Sequence, residues 1–113
     1  MTTATAAELE AAWARRVRDN REQVDAYREV PDRDFYAPVS ALFVADPRRT
    51  GEEALDALLA IADPVETWLD IGAGAGRYAL PLALRVNAVI AVEPSASMRN
   101  ALRTGRAEHG LDN

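Results

Sequence analysis

Cysteine is absent from the chain and histidine occurs once, as His109, among 113 residues. The protein therefore forms no disulfide, offers no cysteine nucleophile and holds no thiolate-bound metal. A structural zinc site lacks ligands, so no metal is expected. An excess of positive charge is missing as well: 13 basic residues face 18 acidic ones, a net charge of −5. Such a balance does not attract nucleic acid by bulk electrostatics, and nucleic acid is not expected as a partner. Long apolar runs are also lacking. The richest tract, residues 79 to 92, is interrupted by Pro81, Arg85 and Asn87, and falls short of the ~18 apolar residues that span a bilayer. Residues 1 to 10 are polar and carry Glu8 and Glu10, unlike the basic-then-apolar pattern of a secretory leader. These absences lead to the expectation of a cytoplasmic protein with no membrane partner.

What remains is enough for a folded core. Apolar residues make up 49% of the chain, which excludes a disordered tail. The length suits one ordinary domain or a piece of a larger one.

Two regions follow one another without internal repeat. Residues 1–64 read as a helical region. Thr5-Ala6-Ala7-Glu8 fits a capping box. Leu9, Trp13, Val17, Val24 and Tyr27 then recur on one helical face, predicting an amphipathic helix from Ala6 to Glu29 that Pro31 ends. Trp13 and Tyr27 are assigned to packing on that stripe, whereas Arg15, Arg16, Arg18 and Arg21 alternate with acids as a solvated face. Residues 31 to 38 form a turn-rich connection. Its Phe35 and Tyr36 serve either as lid residues or as anchors of the loop to a core. The short apolar run 39 to 45 suggests a helical turn or two. Thr50-Gly51-Glu52-Glu53 reads as a second capping box, opening a helix through Leu55, Leu58, Leu59 and Ala62 that Asp63-Pro64 stops.

Residues 65–113 alternate. Glu66 to Ile71 is a short strand, followed by a glycine loop and a helix from Arg77 to Arg85. Ala88 to Val92 is a continuous apolar run of strand length, as in a parallel strand covered on both faces. Ser95 is placed as N-cap of a helix through Met98, Ala101 and Leu102 to His109. Gly110 suits its C-terminus, where His109 interacts with the helix end. Met98 is assigned to the core and Arg77 to solvent or a salt bridge. The order β-α-β-α predicts an α/β fold, namely the first two strands of a doubly wound, Rossmann-like parallel sheet preceded by the helical region. Two parallel strands alone leave unpaired edges. The expectation is thus a domain truncated before its third strand, with edges available to a partner chain or to homo-oligomerisation.

The chemistry is concentrated in Asp70-Ile71-Gly72-Ala73-Gly74-Ala75-Gly76. Gly72 allows the chain to leave the strand, Gly74 allows a ligand close to the backbone, and Gly76 allows the next helix to pack on the strand. A helix N-terminus after the loop would add free N–H groups. The dinucleotide fingerprint G-x-G-x-x-G is not matched, because the spacing from Gly72 is G-x-G-x-G and Arg77 follows. Asp70 places an acid before the glycines, suited to an ammonium group. Glu93 ends the second strand about 20 residues beyond the first glycine, the offset at which an acid reaches ribose hydroxyls.

This string, with Glu93 and the following Pro94-Ser95-Ala96-Ser97-Met98, resembles the cofactor-binding start of class I S-adenosylmethionine (SAM) dependent methyltransferases. The resemblance is specific over residues 66 to 110 and looser over the N-terminal helices, which in many such enzymes cover the cofactor; it implies that residues 1–64 are a lid or cap. It implies SAM as cofactor, with Asp70, Gly72, Ala73, Gly74, Gly76, Glu93 and Pro94 as its binding residues. Asp70 would meet the ammonium of the methionine moiety and Glu93 the ribose, while the residues after the acid flank the adenine. The family's later strands, which contact adenine and the methyl acceptor, have no counterpart here. No catalytic residue is assigned, the acceptor is open, and the 113-residue chain alone is expected to be inactive. Two alternatives stand beside this reading: a fragment of an NAD(P)-type Rossmann oxidoreductase, and a non-catalytic oligomerising module.

Overall fold

The computed structural model describes residues 3–27 and 34–113. They fall into two units, one within 1–33 and the other Asp34–Asn113.

The first unit is helix α1, Ala6–Ala26. It starts where the capping box predicts. Glu8 N–H donates to Thr5 Oγ1 at 3.3 Å, and Thr5 N–H donates to Glu8 Oε2 at 2.7 Å, so two otherwise orphaned donors are satisfied reciprocally. The helix ends at Ala26, with the Tyr27 amide turned back to Val24 and Asp25 carbonyls. The expected continuation to Glu29 and the stop at Pro31 lie outside the described residues. No side chain of α1 is buried, so the packing role expected for Trp13 and Tyr27 is not realised within this unit. A single helix has no second element of its own to cover an apolar stripe.

The second unit is a mixed α/β assembly. A 3-10 turn, Ser40–Phe43, forms in the apolar run expected to be helical. Then come α2 (Glu53–Ile61), β1 (Thr67–Ile71), α3 (Ala79–Ala83), β2 (Ala88–Val92) and α4 (Ala96–Glu108). The strands pair in parallel, Thr67 opposite Ala88 through Ile71 opposite Val92. Since side chains alternate along a strand, Trp68 and Asp70 share one face with Val89 and Ala91. Leu69 and Ile71 share the other with Ile90 and Val92.

The first face carries the core. Ala62 at the end of α2, Leu82 in α3 and Val86 are buried together against Leu59, Trp68 and Val89. Leu82 and Val86 each contribute about 1.5–3 kcal/mol by leaving water. The second face has no element of this unit over it, and Ile71 is 76% exposed. The expectation that Ala88–Val92 is covered on both faces is therefore corrected: the helical layer of this unit lies on the Trp68 face only. On the edge of β2 away from β1, the Val89 amide donates to the Asn113 carbonyl at 3.0 Å. The Asn113 side chain donates to the carbonyls of Ala83, Val86 and Asn87.

Helix boundaries show two further corrections. The capping box expected at Thr50–Glu53 does not form; α2 starts at Glu53, with Glu52 as N-cap and no side-chain cap bond. The Glu52 carboxylate is drawn elsewhere, to Arg49 at 2.8 Å and to the Tyr78 hydroxyl at 3.1 Å. The helix expected from Arg77 to Arg85 is only five residues long, because turns run from Gly74 through Tyr78 before it starts. At α4 the expectations hold. Met98 N–H donates to Ser95 Oγ at 3.2 Å, Met98 is 3% exposed, and Gly110 follows the C-cap with φ +64°. The His109 ring, however, meets the Arg48 guanidinium at 2.9 Å through Nδ1. No helix among the described residues is long and apolar enough to cross a membrane.

Candidate functional site

Parallel pairing brings the carboxyl ends of β1 and β2 side by side, the end at which open α/β sheets bind ligands. Asp70 is the penultimate residue of β1 and Glu93 directly follows β2. Between them lies the glycine loop. Its first two amides, Gly72 and Ala73, both donate to the Val92 carbonyl, at 2.7 and 3.1 Å. The loop therefore turns across the end of β2 instead of leaving into solvent.

The third amide takes a side chain. Gly74 N–H donates to Glu93 Oε1 at 2.9 Å, and Ser95 N–H donates to Glu93 Oε2 at 2.9 Å. Both carboxylate oxygens thus hold backbone, one on each side. Each retains a second lone pair. Gly74 has φ +58°, and a Cβ built there meets nothing within 4 Å. The space over this residue is open to a ligand. Gly76 differs: at φ +90° its Cβ would lie 2.8 Å from Leu80 Cγ and 3.2 Å from Leu102 Cγ. Its lack of a side chain is what lets α3 and α4 close on the loop. Gly76 thus serves packing, as the spacing suggested, while the position of Gly74 is left open.

Asp70 is part-buried, and its Oδ2 is buried without a hydrogen-bond partner among the described residues. Burial pushes its carboxyl above the ordinary value, and the Glu93 charge pushes it the same way. A carboxylate left in this state is stabilised by any cation or donor that reaches it. It does not cap a helix. Ala73 is buried with its amide already used by Val92, so it contributes a wall rather than a donor. Pro94 is exposed, and its carbonyl accepts the Arg99 guanidinium at 2.8 Å; that of Glu93 accepts the same nitrogen at 2.7 Å.

The far end of the loop is tethered separately. Arg49 donates to the Arg77 carbonyl at 2.9 Å as well as to Glu52, and Arg77 itself pairs with Glu52 at 3.3 Å. The Arg49 hydrogen bond holds the Glu52 carboxyl below its ordinary value, with Tyr78 and the Arg77 charge adding to it. Phe35 and Tyr36 pack edge to face with one another, and Tyr36 does so with Phe43. Tyr36 thus joins the connecting segment to the 3-10 turn.

Sequence reasoning missed Asp34, Ser97 and Arg99. Asp34 accepts from Ser95 Oγ at 2.7 Å and from the Ser97 amide at 2.8 Å. These partners stand 61 and 63 residues away, so no local pattern announces them. Among the described residues, no group of three His, Asp or Glu side chains is arranged to hold a metal ion.

No family model matches the chain, and no curated protein does. Among solved structures it is similar to the YcgJ protein from Bacillus subtilis. The two are 31% identical, with a TM-score of 0.50, over 53% of this chain and 26% of that one. The chain spans about a quarter of that protein's length.

Proposed function

We propose that the loop between β1 and β2 is the methionine- and ribose-facing part of a SAM site, on the opening strands of a Rossmann-like, class I methyltransferase fold. The observation that carries this reading is the Glu93–Gly74 hydrogen bond beside the unpartnered oxygen of Asp70. Two acids flank a glycine whose outer side is open. That arrangement suits a ligand with an ammonium, a positive sulfonium and a vicinal diol, and it opposes a pyrophosphate.

Asp70 would take the ammonium, directly or through water. Gly74 lets the ligand lie against the backbone. The remaining lone pairs of Glu93 accept the two ribose hydroxyls without releasing the Gly74 and Ser95 amides. Pro94 flanks the adenine. When bound, SAM supplies an electrophilic methyl group; the part of these residues is to hold the donor at a fixed place and angle, on which in-line displacement depends. None of them is assigned as a general base, and the acceptor is set by other residues.

The NAD(P) alternative loses support from the geometry as well as the spacing. The helix after the loop is five residues long and begins only at Ala79, which leaves no full helix N-terminus facing the glycines for pyrophosphate. The non-catalytic alternative is favoured by one observation, the uncovered face of Leu69, Ile71, Ile90 and Val92. A second copy could cover it, and light scattering would then report a dimer or larger.

Isothermal titration of the chain with SAM and S-adenosylhomocysteine tests the main reading. Saturable binding of both is expected. No binding at millimolar ligand, with NAD bound instead, overturns it.

A further inference from the structure

We infer that Asp34 is a positioning residue for Glu93: it sets the ribose-facing carboxylate by clamping the segment that carries it. The inference rests on the SAM reading above for its ligand, but its structural part stands on hydrogen bonds alone.

The connection runs in three steps. Asp34 Oδ1 accepts the Ser95 hydroxyl at 2.7 Å, and Oδ2 accepts the Ser97 amide at 2.8 Å. Ser95, only 8% exposed, gives its amide to Glu93 Oε2 at 2.9 Å. Glu93 Oε1 then accepts Gly74. A residue before the first turn of this unit is thus linked through two side chains to the middle of the glycine loop.

The chemistry fixes the direction of these bonds. A serine hydroxyl has one proton. Ser95 gives its proton to Asp34, so toward the Met98 amide at 3.2 Å and Ser97 Oγ at 3.1 Å it acts as acceptor. With Asp34 absent, the hydroxyl is free to rotate and donate to Ser97, and the Ser97 amide at the start of α4 loses its acceptor. The Ser95 backbone then keeps its carbonyl bond from the Arg99 amide and its amide bond to Glu93, but loses the side-chain tether that fixes it from outside α4. Glu93 has two anchors, Gly74 and Ser95; once the Ser95 anchor loosens, the carboxylate is free to swing about the other, and its bond to the Gly74 amide weakens with it. Asp34 also occupies the N-terminus of α4 with a carboxylate. The site beside Glu93 is therefore closed to an anionic ligand group at that helix end, leaving Glu93 to face hydroxyls.

A purely structural anchor would affect overall stability and nothing more. A positioning role makes two further demands. In the Asp34→Ala chain, the Gly74 amide should exchange with solvent at least about tenfold faster, while core amides such as Leu82 change no more than global stability requires. Affinity for S-adenosylhomocysteine should fall about tenfold, whereas in a Glu93→Ala background the same substitution should change it by less than about twofold. Asp34→Asn, which keeps one acceptor oxygen, should recover part of both effects, and it serves as the test should the alanine variant not fold. Unchanged Gly74 exchange overturns the clamp. An equal loss of affinity in both backgrounds overturns the action through Glu93. A wild-type chain that binds no S-adenosylhomocysteine overturns the ligand reading and the ribose role with it, while the exchange measurement, made without ligand, still decides the clamp.

Discussion

Glu93 Oε1 and the Gly74 amide lie 2.9 Å apart across 19 residues of sequence. The contact closes the β1-α3-β2 unit at its carboxyl end, adding a side-chain tie to the strand ladder and to the Gly72 and Ala73 amides on the Val92 carbonyl. The other carboxylate oxygen holds Ser95. Glu93→Ala leaves both amides without these acceptors, and charge-assisted bonds of this kind contribute more than neutral ones. Urea titration should show a loss of about 1–2 kcal/mol, with faster exchange confined first to Gly74 and Ser95. A variant as stable as wild type would mean that the carboxylate contributes nothing to the closed loop.

The two inner glycines should respond differently to alanine. At Gly76 the added methyl meets Leu80 and Leu102, and φ is +90°. Backbone strain and overpacking together cost about 2–4 kcal/mol, so Gly76→Ala should lower the thermal midpoint strongly. At Gly74 the methyl enters open space, and φ +58° costs a residue with a Cβ only about 1–2 kcal/mol. Gly74→Ala should stay folded in circular dichroism and lose at least about tenfold in S-adenosylhomocysteine affinity, because the methyl sits where the ligand would lie. Equal effects on folding at the two positions would contradict this division of labour.

Asp70→Asn should make the chain more stable at neutral pH. The folded-state carboxyl is raised above its ordinary value of 3.8 by burial, and by Glu93. Its charged form therefore destabilises the fold above that raised value, and protonation relieves the penalty as pH falls through it. The asparagine variant should melt higher at pH 7, with the advantage shrinking as the solution is acidified toward the ordinary carboxyl value. The same substitution should weaken binding of the methionine ammonium, which titration calorimetry reads separately.

Asp34 predicts the opposite pH response. Hydrogen bonds from the Ser97 amide and the Ser95 hydroxyl lower its carboxyl from 3.8 to about 2. A depressed folded value stabilises the protein above the unfolded value, and that contribution is lost as pH falls from 3.8 toward 2. Wild type should therefore exceed Asp34→Asn in stability at pH 6, and the two should converge near pH 2. Parallel stability curves across this range would show that the carboxylate is not ionised against Ser97.

Local chemistry was readable in advance wherever it depends on neighbours in sequence. Thr5 and Glu8 cap α1 because the box needs only three intervening bonds of helix. Ser95 caps α4, and Gly110 follows its C-cap, for the same reason. Asp70, the glycines and Glu93 were legible as a group because strand, turn and helix have fixed lengths, so spacing along the chain translates into distance. The pattern at Thr50–Glu53 failed because α2 starts at Glu53 itself, which makes that acid the first helical residue instead of the third, while the carboxylate of the N-cap Glu52 is held by Arg49, Tyr78 and Arg77.

Tertiary structure decided the rest. It supplied the side chains, Leu80 and Leu102, that close over Gly76, one of them from a helix more than twenty residues farther along the chain. It placed the helical layer of the second unit on the Trp68 face alone, leaving Leu69 and Ile71 exposed. It also turned Asp34 from an unremarked turn residue into the partner of Ser95 and Ser97. The glycine loop is encoded by its own residues, because backbone conformation is a local property. The orientation of Glu93 within it is a matter of contacts across 19 to 63 residues, which only the folded chain brings within hydrogen-bonding distance.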